Sequence, residues 1–237
     1  MNTIAINMHK MIKPRLIAIV PMRHYSERAP GKNYRDFAGK PLFHHIVESL
    51  LSCTLIDKVI IDTDSEVIME QAKRIFPEAL VYERPEHLRD GSISMNDVLL
   101  NCINQAPADF YLQTHSTNPI LSAATIAESV EKFFKVYPVY DSLFSVTRRQ
   151  VRYWDQLVRP INHNQSILLR TQDLPPIYEE NSCIYIFTKA ILEKNHNRIG
   201  DRPYMFEIPE VEAQDIDTEL NFTVAEILYK KTRNPLT

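Results

Sequence analysis

Short apolar runs alternate along the chain with segments whose apolar residues recur at helical spacing. The apolar runs predict strands at residues 16–20, 58–62, 80–82, 110–113, 142–147 and 183–187. The periodic segments predict helices at residues 42–53, 66–76, 95–105, 123–135 and, last, about 219–231. Strands joined by helices indicate βαβ crossovers. The predicted fold is therefore α/β and Rossmann-like, a mostly parallel sheet with helices on both faces, whose ligands lie at the carboxyl ends of the strands.

One stretch, residues 148–180, interrupts this alternation. It has no clean period, and it contains Trp154, two adjacent prolines at 175 and 176, and several arginines. An unstructured loop of this length is improbable inside a compact domain. We predict a small inserted subdomain or arm that packs on a second subunit, within a single domain that spans residues 1–237.

Composition excludes several classes of protein. The chain has 237 residues, 44% of them hydrophobic, and its formal net charge of −3 gives no basic field for nucleic acid or an anionic membrane. Cys53, Cys102 and Cys183 lie far apart among apolar neighbours, which favours reduced core cysteines over a zinc site. We expect neither a signal peptide nor a membrane span at the N-terminus, and hence a cytoplasmic protein.

Three cations crowd the loop "PMRHYSERAPGKN" after the first predicted strand: Arg23, Arg28 and Lys32. The loop is not a P-loop, because Ser26 stands where the first glycine belongs and Asn33 where Ser or Thr belongs. It is either a solvated turn or a phosphate-binding loop without a glycine nest. Charge-assisted contacts to phosphoryl oxygens are worth roughly 1.5–3 kcal/mol each where water is scarce.

This loop, followed by Ala38-Gly39-Lys40-Pro41-Leu42, resembles the N-terminal signature of the CMP-sialic acid synthetases (acylneuraminate cytidylyltransferases). Further similar segments are "IIDTDSEVI" at 60–68, "YERPEHLRDGSISMNDVLL" at 82–100, "YLQTHSTNPIL" at 111–121, "YEENSCIYIF" at 178–187 and "AQDIDTELNF" at 213–222. The resemblance covers nearly the whole chain from Leu16 onward. It implies a fold of the nucleotide-diphospho-sugar transferase type and a homodimer joined through residues 148–180.

The resemblance also implies an activity. The family couples CTP to the anomeric hydroxyl of an α-keto acid sugar and releases pyrophosphate, with Mg²⁺ on the phosphates. Enzymes catalyse such a step mainly by positioning and by neutralising charge. The implied partners are CTP and an acidic sugar acceptor.

Residues of the first loop would then hold the triphosphate: Arg23, Ser26, Arg28, Lys32 and Asn33. Lys32 would lie near the α-phosphate, and Lys32, Arg23 and Asp217 would be the catalytic residues. Asp215 and Asp217 would hold Mg²⁺, because carboxylates two residues apart on an extended segment face the same way. A competing interpretation is that Asp217 only caps the final helix.

Arg84 would recognise cytosine with help from Ser92 or Ser94, unless it pairs with Glu83 or Glu86 at the surface. Gln113 and Asn181 would face the sugar, together with Arg170 and Gln172 from the 148–180 stretch. No general base stands out. His24 and His115 are candidates for contact with the substrates.

The sequence departs from the family pattern mostly on the sugar side, at 113–117 and at Asn181-Ser182-Cys183. In the first loop, Ser26-Glu27-Arg28 replaces the family's Ser-Lys-Gly. The acceptor therefore stays open among nonulosonic acids, a CMP-Kdo type and a non-sugar acid. The sequence is also compatible with an inactive CTP-binding module and with a transferase that uses UTP or GTP.

Overall fold

A seven-stranded sheet forms the centre of the molecule, whose computed structural model describes residues 14–233. The strands are β1 (Leu16–Met22), β2 (Asp36–Phe37), β3 (Lys40–Pro41), β4 (Lys58–Thr63), β5 (Leu80–Glu83), β6 (Phe110–Gln113), β7 (Ser142–Arg149), β8 (Ile177–Phe187) and β9 (Pro203–Glu207). The helices are α1 (Leu42–Leu51), α2 (Glu66–Ile75), α3 (Met95–Gln105), α4 (Ala123–Val136), α5 (Lys189–Asn195) and α6 (Glu219–Arg233).

The strand order in the sheet is β5-β4-β1-β6-β8-β7-β9, while β2 and β3 form a separate two-stranded hairpin. Strand β1 pairs in parallel with both β4 and β6, and β5 and β9 also join parallel neighbours. Strand β8 runs against its neighbours, β6 and β7. The predicted mostly parallel sheet is confirmed.

Helices cover both faces of the sheet, as the sequence predicted. Side chains alternate between the two faces along β1. Leu16, Ala18 and Val20 pack with α1, α2 and α4, whereas Ile17 and Ile19 pack with α3 and α5. The three cysteines are buried and unpaired, as expected.

The 148–180 stretch begins and ends in β-strands, so the two strands predicted on either side of it were too short. Strand β7 continues to Arg149 and β8 already begins at Ile177, six residues before the predicted start. Polar residues such as Glu179 conceal this part of β8, because both of its faces are accessible to water. Between these strands, residues 150–176 hold one β-bridge, Trp154 to Pro160, and one turn of 3-10 helix.

Four strands and helices escaped prediction: the hairpin strands β2 and β3, the short helix α5 and the edge strand β9. Strand β9 lies at the end of the sheet, and its side chains are mostly half-exposed. An edge strand of this kind lacks the alternating pattern that identifies a half-buried strand. Across residues 14–233, we find no helix whose length and hydropathy would let it span a bilayer. The expectation about a leader concerns residues 1–13, which lie outside the described residues.

A third apolar cluster joins the beginning of the fold to its end. Phe37 and Leu42 pack against Ile216, Phe222 and Ala225, and thereby hold α6 on the β2–β3 hairpin. In addition, Arg35 forms a two-point ion pair with Glu219, and its guanidinium carbon lies 4.4 Å from the centre of the Phe222 ring. These contacts fix the segment before α6 beside the loop that follows β1.

Candidate active site

The loop after β1 has a conformation that its glycine and its asparagine maintain. Gly31 has a φ of +64°, in the left-handed region, and a Cβ at this position would lie 2.7 Å from the Tyr34 hydroxyl. The Asn33 side chain donates to the Arg23 carbonyl at 2.7 Å and accepts from the Ser116 hydroxyl at 2.8 Å. The loop is thus braced from inside, with Arg23 and Arg28 exposed and Lys32 largely buried.

Lys32 lies beside the segment Ile216-Asp217 in space, although Ile216 is 184 positions further along the chain. The Lys32 ammonium donates to the Ile216 carbonyl and lies 3.6 Å from an Asp217 carboxylate oxygen. Arg28 approaches the same carboxylate oxygen at 2.9 Å. Burial lowers the pKa of Lys32, and the charges of Asp215 and Asp217 oppose that effect. The sequence prediction that the first loop and the Asp215-Asp217 segment meet at one place agrees with this geometry.

Asp215 and Asp217 line the same cleft, while Ile216 between them is fully buried. Although the Asp215 residue is largely exposed, its carboxylate is crowded by protein, and the lost hydration raises its pKa. The charge of Asp217 raises that pKa further, whereas a hydrogen bond from Thr117 opposes the rise. A divalent cation would relieve this repulsion, and carboxylate oxygens are the ligands that Mg²⁺ prefers.

The two aspartates are not sufficient ligands by themselves. No group of three or more His, Cys, Asp and Glu side chains that could hold a metal ion occurs in the described part of the chain. A cation here would take its other ligands from water or from phosphate oxygens. The idea that Asp217 caps the final helix is wrong, since the Thr218 hydroxyl accepts from the Asn221 backbone N–H at 3.2 Å at the beginning of α6.

The cleft that these residues surround has a volume of about 570 Å³ and lies at the carboxyl ends of β1, β5 and β6. Eight of the predicted site residues line it: Arg23, Ser26, Arg28, Lys32, Asn33, Arg84, Asp215 and Asp217. Its wall also includes Met95, His115 and Ser182. The cleft is polar and is rich in cations along one side, as binding of a triphosphate requires.

Arg84 is buried, so its predicted alternative as a surface residue paired with Glu83 or Glu86 is wrong. Its Nε donates to an Asp62 carboxylate oxygen at 2.7 Å, and Nη2 lies 2.5 Å from the same oxygen. Burial raises the pKa of Asp62, even though the charge of Arg84 opposes that rise. Glu83 instead pairs with Arg89. The sheet thus presents one buried guanidinium to the cleft from below.

The two serines predicted beside Arg84 have other contacts. The Ser92 hydroxyl donates to Asp90 at 2.6 Å, and Ser94 caps α3 by accepting from the Asn96 backbone N–H at 3.2 Å. The residues that line the cleft in this region are Gly91 and Met95. The structure therefore does not bring Ser92 or Ser94 to the cleft.

The predicted sugar-binding residues are not assembled in this chain. Gln113 is fully buried, and Asn181 bridges β7 and β8 through Ser145 and Thr147. Arg170 pairs with Asp173 on the exposed 148–180 stretch, and its neighbour Gln172 is also exposed. Contact of these four residues with a sugar stays a prediction.

Arg198 is a residue that the sequence did not single out. It follows α5, and its guanidinium carbon lies 4.0 Å from the centre of the Tyr185 ring while Nη1 donates to the Gln113 amide oxygen. Burial lowers the pKa of Arg198. No sequence signal pointed to it, because neither α5 nor β9 was predicted and no recognised motif includes it.

A second cleft, of about 470 Å³, lies between α1, α4 and α6. It contains two carboxylates, Glu48 and Glu212, against one cation, Arg233. That charge balance does not suit a polyanion, so the cleft above β1 is the candidate active site.

A parallel α/β sheet with a cationic loop and a pair of aspartates at its carboxyl edge defines a nucleotide-binding protein of the nucleotidyltransferase type. The sequence model described as "Cytidylyltransferase" matches residues 17–226. The chain belongs to the cytidylyltransferase family, as the resemblance implied.

Relatives with curated names agree with this membership. The chain is 29% identical over 232 residues to a pseudaminic acid cytidylyltransferase of Campylobacter jejuni, across 90% of this chain and 96% of the relative. It is 27% identical over 236 residues to the CMP-N,N'-diacetyllegionaminic acid synthase of Legionella pneumophila, across 94% and 99% of the two chains.

A solved structure of similar fold is a CMP:2-keto-3-deoxy-manno-octonic acid synthetase complexed with CTP, with a TM-score of 0.66 and 17% identity. The match covers 92% of this chain and 99% of that one. The chain therefore shares the overall fold of that enzyme.

Proposed function

We propose that the protein transfers CMP from CTP to an acidic α-keto sugar of the nonulosonic type and releases pyrophosphate. The observation that carries this proposal is the convergence of Lys32, Arg28 and Asp217 in one cleft. Membership of the cytidylyltransferase family supports the nucleotide and the reaction class. The pseudaminic and legionaminic acid enzymes among its relatives support the class of acceptor.

The residues of the cleft have complementary tasks in this reaction. The loop cations Arg23 and Arg28 bind the outer phosphates, whose departure as pyrophosphate they assist by neutralising charge. Lys32, which contacts Ile216 and Asp217, would neutralise charge at the α-phosphate. Arg84 lies at the floor of the cleft, fixed by Asp62, where a fixed guanidinium can select the base by hydrogen bonds.

Asp215 and Asp217 are the residues that would hold Mg²⁺. When bound, the ion neutralises charge on the phosphates as the acceptor oxygen attacks. Binding of the metal would withdraw Asp217 from Arg28, which leaves that guanidinium free for phosphate.

The direct test is release of pyrophosphate. Purified protein, CTP and Mg²⁺ are incubated in turn with pseudaminic, legionaminic, neuraminic and 3-deoxy-manno-octulosonic acids, and the CMP conjugate is identified by mass. A nine-carbon acid is expected to give product, and CTP to exceed UTP and GTP. Binding of CTP without turnover of any acid would leave only an inactive nucleotide-binding module, and the proposal would be lost.

The proposal includes a homodimer formed through residues 150–176. This stretch exposes the apolar residues Leu157, Val158, Ile161 and Leu168, of which Leu168 is 91% exposed. The Asn162 amide joins the two ends of this stretch by donating to the carbonyls of Val151 and Pro175. Exposed apolar residues concentrated in one segment are typical of an interface between subunits.

Light scattering at micromolar concentration should therefore report a dimer, and Leu168→Glu should shift it toward the monomer. A monomeric wild-type protein would contradict this part of the proposal. The three buried, free cysteines fit a reducing compartment, so we place the enzyme in the cytoplasm.

A further inference from the structure

His115 occupies a position between the phosphate-binding and the acceptor-side groups of the cleft. It follows β6, lines the cleft, and is close enough to Lys32, Asp217 and Arg198 for the charge of each to act on its imidazole. Its Nε2 lies 3.1 Å from the Gln113 amide nitrogen. Gln113 thus contacts the imidazole ring, and the orientation of its side-chain amide can be established.

The orientation of the Gln113 amide follows from two partners of fixed chemistry. Arg198 can only donate, so the atom that contacts its Nη1 must be the Gln113 oxygen. The Thr114 carbonyl can only accept, and it lies 3.1 Å from the other amide atom, which must be nitrogen. Both contacts require the same orientation of the amide. In the flipped orientation, the Gln113 nitrogen would face the Arg198 donor and the Gln113 oxygen would face the Thr114 carbonyl.

The imidazole tautomer follows from that orientation. Because the Gln113 nitrogen carries only hydrogens, His115 Nε2 must accept, and the ring proton must be on Nδ1. Among the described residues, none forms a hydrogen bond with Nδ1. Burial, with the charges of Arg198 and Lys32, lowers the pKa of His115 to about 4. At neutral pH the ring is therefore an uncharged N–H donor, and its lone pair is already used.

We propose that His115 donates an Nδ1–H hydrogen bond to an anionic oxygen of the bound substrates, and that Gln113 and Arg198 fix its tautomer as positioning residues. The inference rests on the proposed function. It makes His115 a hydrogen-bond donor to a substrate oxygen instead of a general base, since a base needs a free lone pair. The anionic oxygen belongs either to a phosphate of CTP or to the carboxylate of the acceptor.

The tautomer can be measured without any turnover. Long-range ¹H–¹⁵N correlation spectra of the resting enzyme, with the His115 signals assigned through His115→Gln, distinguish the two ring nitrogens. We expect the Nδ1–H tautomer across neutral pH. An Nε2–H tautomer or a doubly protonated ring would overturn the inference.

Addition of ligands identifies the oxygen that is bound. A shift of the Nδ1 signal on addition of CTP and Mg²⁺ alone assigns a phosphate oxygen, whereas a shift only on further addition of the sugar acid assigns the acceptor. No shift with either ligand would contradict the inference. Each arm uses the intact wild-type protein.

The variant Gln113→Glu tests whether Gln113 sets the tautomer of His115 or only stabilises the fold. A carboxylate at position 113 still accepts from Arg198 but cannot donate to the ring, so the proton should move to Nε2 or the ring should become charged. A tautomer unchanged in Gln113→Glu would refute the role of Gln113. The same variant should then show a different pH profile of turnover.

Kinetics complete the test. We expect His115→Phe, which removes the donor, to lower kcat by about 10²–10³-fold, the usual loss for one such donor, and His115→Gln to recover part of it. His196→Gln changes an exposed histidine and should have no effect. Full activity of His115→Phe would overturn the inference. If the wild-type enzyme turned over no acid, the proposed function would fail, while the spectra would still decide the state of His115.

Discussion

The buried ion pair between Asp62 and Arg84 is expected to carry a large share of the protein's stability. The relative exposure of Asp62 is 0% and that of Arg84 is 2%. Removal of one member of such a pair leaves a charge buried without compensation, at a cost of about 3–5 kcal/mol. A domain of this length has about 5–15 kcal/mol in total. Asp62→Asn should therefore lower the unfolding temperature by roughly 6–20 °C, at about 2–4 °C per kcal/mol.

The double variant Asp62→Leu/Arg84→Met distinguishes this cause from a general intolerance of change in the core. With both charges replaced by apolar groups, neither is left unpaired, and the unfolding temperature should recover most of the loss. Thermal unfolding followed by circular dichroism measures all three proteins. If Asp62→Asn unfolded within about 2 °C of the wild type, or if the unfolding temperature of the double variant fell at least as far as that of Asp62→Asn, the reasoning would be wrong.

The remaining predictions concern the cleft and the pH dependence of stability. Lys32→Met should lower kcat by about 10²–10³-fold, whereas Lys40→Met, which removes a lysine that pairs with Glu48, should not; equal losses in steady-state assays would contradict the role of Lys32. Asp217→Asn should raise the Mg²⁺ concentration for half-maximal activity at least about tenfold, and an unchanged requirement would exclude Asp217 as a metal ligand. Burial lowers the pKa of His45 from 6.5 to about 4, so the unfolded chain binds the proton more readily and stability falls as pH decreases from 6.5 toward 4. Urea unfolding measures the free energy of unfolding at pH 7 and at pH 5. The decrease between these two pH values should be about 2 kcal/mol smaller in His45→Gln than in the wild type, and equal decreases would show that His45 is not its cause.

The sequence predicted the parallel half of the sheet well because its strands β1, β4 and β6 are buried on both faces and therefore read as apolar runs. Strand β1, with seven buried residues in succession, is the clearest case. The other half has mixed exposure. The first half of strand β8 is exposed to solvent, and β9 is an edge strand, so neither has a hydrophobic pattern that identifies the whole strand.

The side of the cleft that we propose for phosphate could be predicted since its residues lie in two continuous motifs, the loop after β1 and the segment Asp215-Ile216-Asp217. The acceptor side could not, because it depends on contacts between distant segments. The amide of Gln113 accepts a hydrogen bond from Arg198, and the Asn181 side chain on β8 accepts one from Ser145 on β7. Only the folded chain shows that His115, and not Gln113, borders the cleft.

The claim that the loop after β1 and the acidic segment before α6 together bind one nucleotide is tested most directly by a crystal structure with CTP and Mg²⁺. We predict a triphosphate between Lys32 and Asp217, with the cytosine above Arg84. A nucleotide seated in the cleft between α1, α4 and α6, or a triphosphate that touches neither Lys32 nor Asp217, would contradict the account.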